Sequence, residues 1–189
     1  MTRRDPIFHI GYIKCGSTSL QENLFQASSE INNIPRDLAE LLRSKVDYNP
    51  TRAEAWLKSA LSRESCHHKT SILSHEGLLM WGVEPKELFH RIETICSSAH
   101  IMIFVRPQHE LMRSLYDMFP VSRREDRYTG KEMKIDDVVG EWLDGVDGVA
   151  SSLRYSSAIE SAINSFGKYR IHVFSFSGVF QTGSEIERL

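Results

Sequence analysis

A chain of 189 residues with 41% hydrophobic and 25% charged side chains has the composition of one soluble globular domain with room for a sizeable core. Its formal net charge of −2 excludes the global basic field that gathers nucleic acid, so an anionic ligand has to be held by a local cluster. Three cysteines, Cys15, Cys66 and Cys96, form no CxxC pair and argue against a disulfide framework or a metal site; no window approaches the roughly 20 apolar residues of a membrane span. With no apolar run of the kind a secretory signal needs near the N-terminus, the expected compartment is the cytoplasm.

Residues 7–10 form a short apolar run ending at Gly11, which reads as a buried strand, and residues 17–25 put Leu20, Leu24 and Phe25 on one helical face. The same period predicts a helix over 35–45, through Leu38, Leu41 and Leu42. Thr51-Arg-Ala-Glu54 has the form of a capping box opening a helix with Trp56, Leu57, Ala60 and Leu61 on one side. Residues 70–74 read as a second strand, and Glu84-Pro85 opens a helix whose Leu88, Ile92 and Ile95 face inward. The run His100-Ile-Met-Ile-Phe-Val105 is the clearest strand, continuous, apolar and β-branched. After Pro107 a helix through Leu111, Leu115 and Met118 is expected, then a charged loop over 121–134 and helices over 135–143 and 154–166, the second stopped by Gly167. Residues 170–176 read as the last strand, and the tail 177–189 is weakly patterned.

Strands alternating with helices in this way predict a single α/β domain over 1–189, a three-layer P-loop-like fold with a central parallel sheet flanked by helices. Ligands of such sheets bind beyond the carboxyl ends of the strands. That rule singles out Gly11 to Ser19, His75-Glu76 and Arg106-Pro107.

The segment Gly11-Tyr-Ile-Lys14-Cys15-Gly16-Ser17-Thr18-Ser19 joins a strand to a helix. Its glycines let the backbone approach an anion, the following helix aims its first N–H groups at it, Ser17, Thr18 and Ser19 add hydroxyls, and Lys14 adds a charge. Gly11 and Gly16 have the spacing of a Walker loop, but Ser17 stands where that motif has its lysine, which weakens an ATPase or kinase reading. A tyrosine-phosphatase loop fails as well, because Gln21 stands where its arginine would follow Cys15. A plain tight turn with a solvated lysine is the bland alternative. The second cluster is Arg106-Pro-Gln-His-Glu-Leu-Met-Arg113-Ser114. Arg106 at a strand end is suited to grip a phosphate by two parallel hydrogen bonds, with Ser114 donating a third. The alternative is that Arg106 pairs with a carboxylate and Ser114 is a surface residue. A second phosphate site suits a nucleotide phosphorylated at both ends of its ribose.

Together the two clusters resemble the sulfotransferase family, which uses 3′-phosphoadenosine-5′-phosphosulfate (PAPS). Ile13-Lys14-Cys15-Gly16-Ser17-Thr18-Ser19-Leu20 is similar to the family's 5′-phosphosulfate loop, with Ile13, Cys15 and Ser17 departing from its usual residues. Arg106-Pro107 with Ser114 is similar to its 3′-phosphate motif, and the stretch from Arg154-Tyr155 to Phe176 to its later helix and strand. The chain ends soon after that strand, where family members continue with a basic loop. The resemblance implies that Lys14 stabilises the leaving oxygen, that the backbone of Gly16 to Ser19 together with Cys15 holds the 5′ end, and that Arg106 and Ser114 hold the 3′-phosphate, with no metal. It implies a base at Glu76 or His75; Leu73-Ser-His-Glu76 resembles the family's Ser-x-Glu variant and favours Glu76. The acceptor is then a small molecule or a carbohydrate bearing a hydroxyl or amine. A kinase or nucleotidase, or a non-catalytic nucleotide-binding relative, are the competing functions. The run Arg123, Arg124, Arg127, Lys131 and Lys134 is interleaved with Glu125 and Asp126 and reads as a solvated loop. Trp56, Trp81 and Trp142 read as packing residues. Cys15, at a helix N-terminus that lowers thiol pKa, reads as a small filler of the loop.

Overall fold

In the computed structural model the described residues are 5–12, 15–62, 68–79, 83–122 and 155–180, with positions 136 and 140. The apolar runs become strands of one parallel sheet: β1 (Ile7–Gly11), β2 (Ile31–Asn33), β3 (Thr70–Glu76), β4 (His100–Val105) and β5 (Ile171–Ser175). The order is β2-β3-β1-β4-β5, and every neighbouring pair is parallel. The α/β fold with a central parallel sheet and flanking helices is therefore as expected. Burial explains the sequence pattern: Phe8, His9 and Ile10 of β1, and Ile101 to Phe104 of β4, are buried whichever face they point to.

Beyond Gly11 the chain forms α1 (Ser17–Leu20), which runs directly into a π-helical turn (Gln21–Phe25). Next come α2 (Arg36–Arg43), α3 (Pro50–Leu61), α4 (Pro85–Ile95), α5 (Gln108–Ser122), α6 (Tyr155–Phe166) and α7 (Phe176–Phe180). Register and alternation sort the strand residues onto two faces. His9 lies opposite Ser74 and Gly11 opposite Glu76, so these four share one face; Ile10 and His75 share the other. The first helix covers the face of His9, whose ring meets Phe25 edge-on at 5.5 Å. Helix α2 covers the opposite face, where Glu40 reaches His75. Arg91 locks α2 to α4 by donating to the carbonyls of Leu42 and Ser44, orphan acceptors at the α2 C-terminus, while Glu87 holds its Nε at 2.8 Å.

Several sequence expectations need correction. β2 is an additional strand; its Asn32 and Asn33 are polar because their amides bond across to Ala60, Ser71 and Phe25. The cap of α3 is Asn49, accepting from Arg52 N at 2.9 Å with Pro50 as the first helical residue, instead of the box at Thr51. Strand β3 runs on to Glu76, because its pairing with β1 persists to Gly11. Val121 and Ser122 belong to α5, not to a loop, and residues 176–180 are helical. The expected helix at 135–143 lies outside the described residues except for Asp136 and Gly140, both helical. Most of the 121–134 segment, Cys66, Trp81 and Trp142 lie outside them too. Trp56 is half-buried against the core and carries the Arg52 guanidinium on its face at 4.6 Å.

Candidate functional site

The strand order reverses at β1, with the connections from β1 leading to one side and those from β3 to the other. Such a switch point opens a crevice beyond the carboxyl ends of β1, β3 and β4. The three singled-out segments converge there. Lys14 and Ile13 lie outside the described residues. Around them, Tyr12 and Cys15 are buried, and Gly16 turns the chain at φ 81°, a left-handed conformation that strains any side chain. Gly16 O accepts from Leu20 N at 3.1 Å, so the N–H groups of Ser17, Thr18 and Ser19 precede the helical ladder and have no partner within it. Thr18 and Ser19 are exposed. Backbone donors at the start of a helix, behind a forced glycine turn, are suited to an anion.

Arg106 follows β4 directly. Its Nε donates to Glu110 Oε2 at 3.0 Å and its guanidinium lies 4.8 Å from the Phe176 ring centre. The carboxylate pairing weighed for Arg106 is therefore real. Ser114 is half-buried on α5, one turn beyond Glu110 and on the same helical face. Arg106, Glu110 and Ser114 thus form one row beside the loop.

Tyr155, first residue of α6, ties the two clusters together. Its hydroxyl donates to Arg106 O at 2.9 Å and its ring meets Tyr12 edge-on at 4.8 Å. Burial raises the pKa of both Tyr12 and Tyr155, so Tyr155 remains a neutral donor. Burial also pushes the Cys15 thiol up to about 12, against the pull of Arg106, which makes it an inert filler of the loop.

His75 and Glu76 part company by alternation. His75 Nε2 sits 2.9 Å from Glu40 Oε1 on the face of α2, with Nδ1 buried and without a partner. Glu76 is on the face of the first helix, opposite Gly11, and is partly exposed. Gly77, at φ 85°, donates to Gly11 O at 3.0 Å and turns the chain away immediately after it.

Beneath the edge runs a polar chain that the sequence patterns did not single out. His9 is fully buried, and burial lowers its pKa to about 4, so it is neutral. His9 Nδ1 lies 2.7 Å from Ser74 Oγ, Gln21 Nε2 donates to the same oxygen at 2.9 Å, and Arg36 Nη2 donates to Gln21 Oε1 at 2.5 Å. A histidine and a glutamine at otherwise apolar positions were the available signal. Among the described residues no group of three metal-ligating side chains occurs, and no helix is long and apolar enough to cross a membrane.

No protein-family model and no curated protein matches the sequence. Among solved structures the chain is similar to a sulfotransferase from Alicyclobacillus acidocaldarius, with a TM-score of 0.69 at 15% identity over 99% of this chain and 79% of that one. It is also similar to the sulfotransferase domain from the curacin biosynthetic pathway, with a TM-score of 0.54 at 13% identity over 98% and 72% of the two chains. At these identities the likeness is one of fold, and the fold is that of sulfotransferases.

Proposed function

We propose that the chain is a PAPS-dependent sulfotransferase acting on a hydroxyl or amine acceptor, a small molecule or a carbohydrate. The observation that carries this reading is the coupling of the β1 loop to the end of β4 through Tyr155, at the switch point of a sulfotransferase-like fold. Two anion sites held at a fixed separation match a nucleotide with phosphates on both sides of its ribose. PAPS would supply the sulfuryl group: the acceptor oxygen or nitrogen would bond to sulfur, the sulfur–oxygen bond to the 5′-phosphate would break, and adenosine 3′,5′-bisphosphate would leave.

In this reading the N–H groups of Ser17 to Ser19 hold the 5′ end, with Gly16 making the close approach and Cys15 filling the loop floor. Lys14 offers charge to the leaving oxygen. Sulfuryl transfer resembles phosphoryl transfer in spreading charge over peripheral oxygens, so such positioning and electrostatics do most of the catalytic work. Arg106 and Ser114 hold the 3′-phosphate, and Glu110 orients Arg106 through Nε. Glu76 takes the acceptor proton. It is preferred to His75 because it shares the face of the loop helix, whereas His75 is tied to Glu40 on the other face.

Calorimetric titration with adenosine 3′,5′-bisphosphate, beside magnesium-ATP, tests the reading. Micromolar binding of the bisphosphate, weakened by Lys14→Ala and by Arg106→Ala and not reproduced by magnesium-ATP, is expected. A preference for magnesium-ATP, or no binding, would overturn it.

A further inference from the structure

The geometry points to an anion subsite beside Glu76 that selects an acceptor carrying a carboxylate, with Arg36 as its specificity residue; the word acceptor rests on the sulfotransferase reading. A pocket of about 240 Å³ lies between the end of β2, the start of α2 and the first helix, with Gln21, Gln26, Asn33, Arg36 and Ser74 as its polar lining. At about 30 Å³ per water this is the space of roughly eight waters, enough for one sugar-sized ring.

The direction of every hydrogen bond under the pocket follows from its donors. Arg36 has only donors, so Gln21 must present its oxygen to it and its NH₂ to Ser74. Ser74 then donates its proton to His9 Nδ1, the neutral acceptor at the buried end. The chain stops at His9, whose Nε2 is buried without a hydrogen-bond partner, and is open at the other end. Gln21 and Ser74 are buried, so the support of Arg36 is rigid.

The open end carries a charge that faces no carboxylate among the described residues. Arg43, Arg91, Arg106 and Arg170 each face a carboxylate within 3.2 Å. Among the described residues Arg36 faces a neutral amide instead and forms no ion pair. A guanidinium has five N–H donors, and the bond to Gln21 uses one Nη2 proton. An edge remains that matches a carboxylate by two parallel bonds.

The pocket is joined to the proposed chemistry by β3. Ser74 precedes Glu76 by two residues on the same face, about 7 Å along the strand. A ring whose carboxylate meets Arg36 and which extends over Ser74 is two strand positions from the base, so the site favours uronate-type acceptors over neutral sugars.

Titration with sodium glucuronate against glucose, at constant ionic strength and followed by amide NMR shifts, tests the subsite. Saturable binding of glucuronate alone is expected, about tenfold weaker or more in Arg36→Gln and partly retained in Arg36→Lys, with bisphosphate affinity unchanged in both. Arg36 is exposed, so neither variant disturbs the core. Equal responses to glucuronate and glucose, or wild-type glucuronate binding in Arg36→Gln, would overturn the subsite while leaving the cofactor reading intact. Should glucuronate binding need Arg36 in a chain that binds no bisphosphate, the subsite stands and the sulfotransferase reading falls.

Discussion

The two edges of the sheet hold similar polar groups and use them differently. At the amino edge His100 and His172 stack at 5.2 Å and share a 2.9 Å hydrogen bond, while Arg170 pairs with Asp5 at 3.2 Å and donates to the Ser98 carbonyl. These groups satisfy one another near solvent. At the carboxyl edge the polar groups are more deeply buried and link strands to helices: Tyr155 joins α6 to β4 and to the β1 loop, and the buried His9, Ser74 and Gln21 with Arg36 link β1, β3, the first helix and α2. Exposed pairs between strand ends stabilise little, whereas buried links between strands and helices fix backbone positions. An edge built of such links is the one suited to hold a ligand.

The largest test of that contrast is pH. The pKa of His9 falls from 6.5 to about 4 on burial, so between these values the unfolded chain binds more protons than the folded one. The His9 contribution to stability is complete above pH 6.5 and is lost as pH drops toward 4, by about 3 kcal/mol. Urea midpoints measured across this range should show the loss in the wild type and a flatter profile in His9→Gln. At the amino edge His100 also has a lowered pKa, from partial burial and from His172, so His172→Ala should change the profile less than His9→Gln does.

Next in size is Tyr155. Because the ring is half-buried, Tyr155→Ala should cost about 2 kcal/mol in urea unfolding, below the full-burial range. Tyr155→Phe should cost about 1 kcal/mol for the lost bond to Arg106 O. Both should weaken bisphosphate binding if the β1 loop and the end of β4 are the proposed anion sites, since the two then lose their link. A Tyr155→Ala protein with wild-type affinity would show that the clusters are independent. The smallest effect belongs to the amino edge: Arg170→Ala removes an ion pair with a partly exposed Asp5 and should shift stability by under about 1 kcal/mol, with bisphosphate binding unchanged.

The sequence legibility follows the same division. β4 was readable residue for residue because both faces are buried, and the segments after β1 and β4 were singled out because each follows an apolar run that proved to be a strand. β2 was not, since an edge strand of three residues with two asparagines has no period to detect. The extension of β3 to Glu76 depended on pairing with Gly11, a long-range contact. Neither Ser74 nor Gln21 announces its burial, and Arg36 reads in sequence as an ordinary charge at a helix start. Their meaning comes from elements up to 65 residues apart meeting at one edge.

The most direct test of the account is a crystal structure with adenosine 3′,5′-bisphosphate bound. The account predicts the 5′-phosphate on the backbone of residues 16–19 beside Lys14, and the 3′-phosphate on Arg106 and Ser114. A nucleotide seated elsewhere, or one that leaves Arg106 and Ser114 untouched, would contradict it.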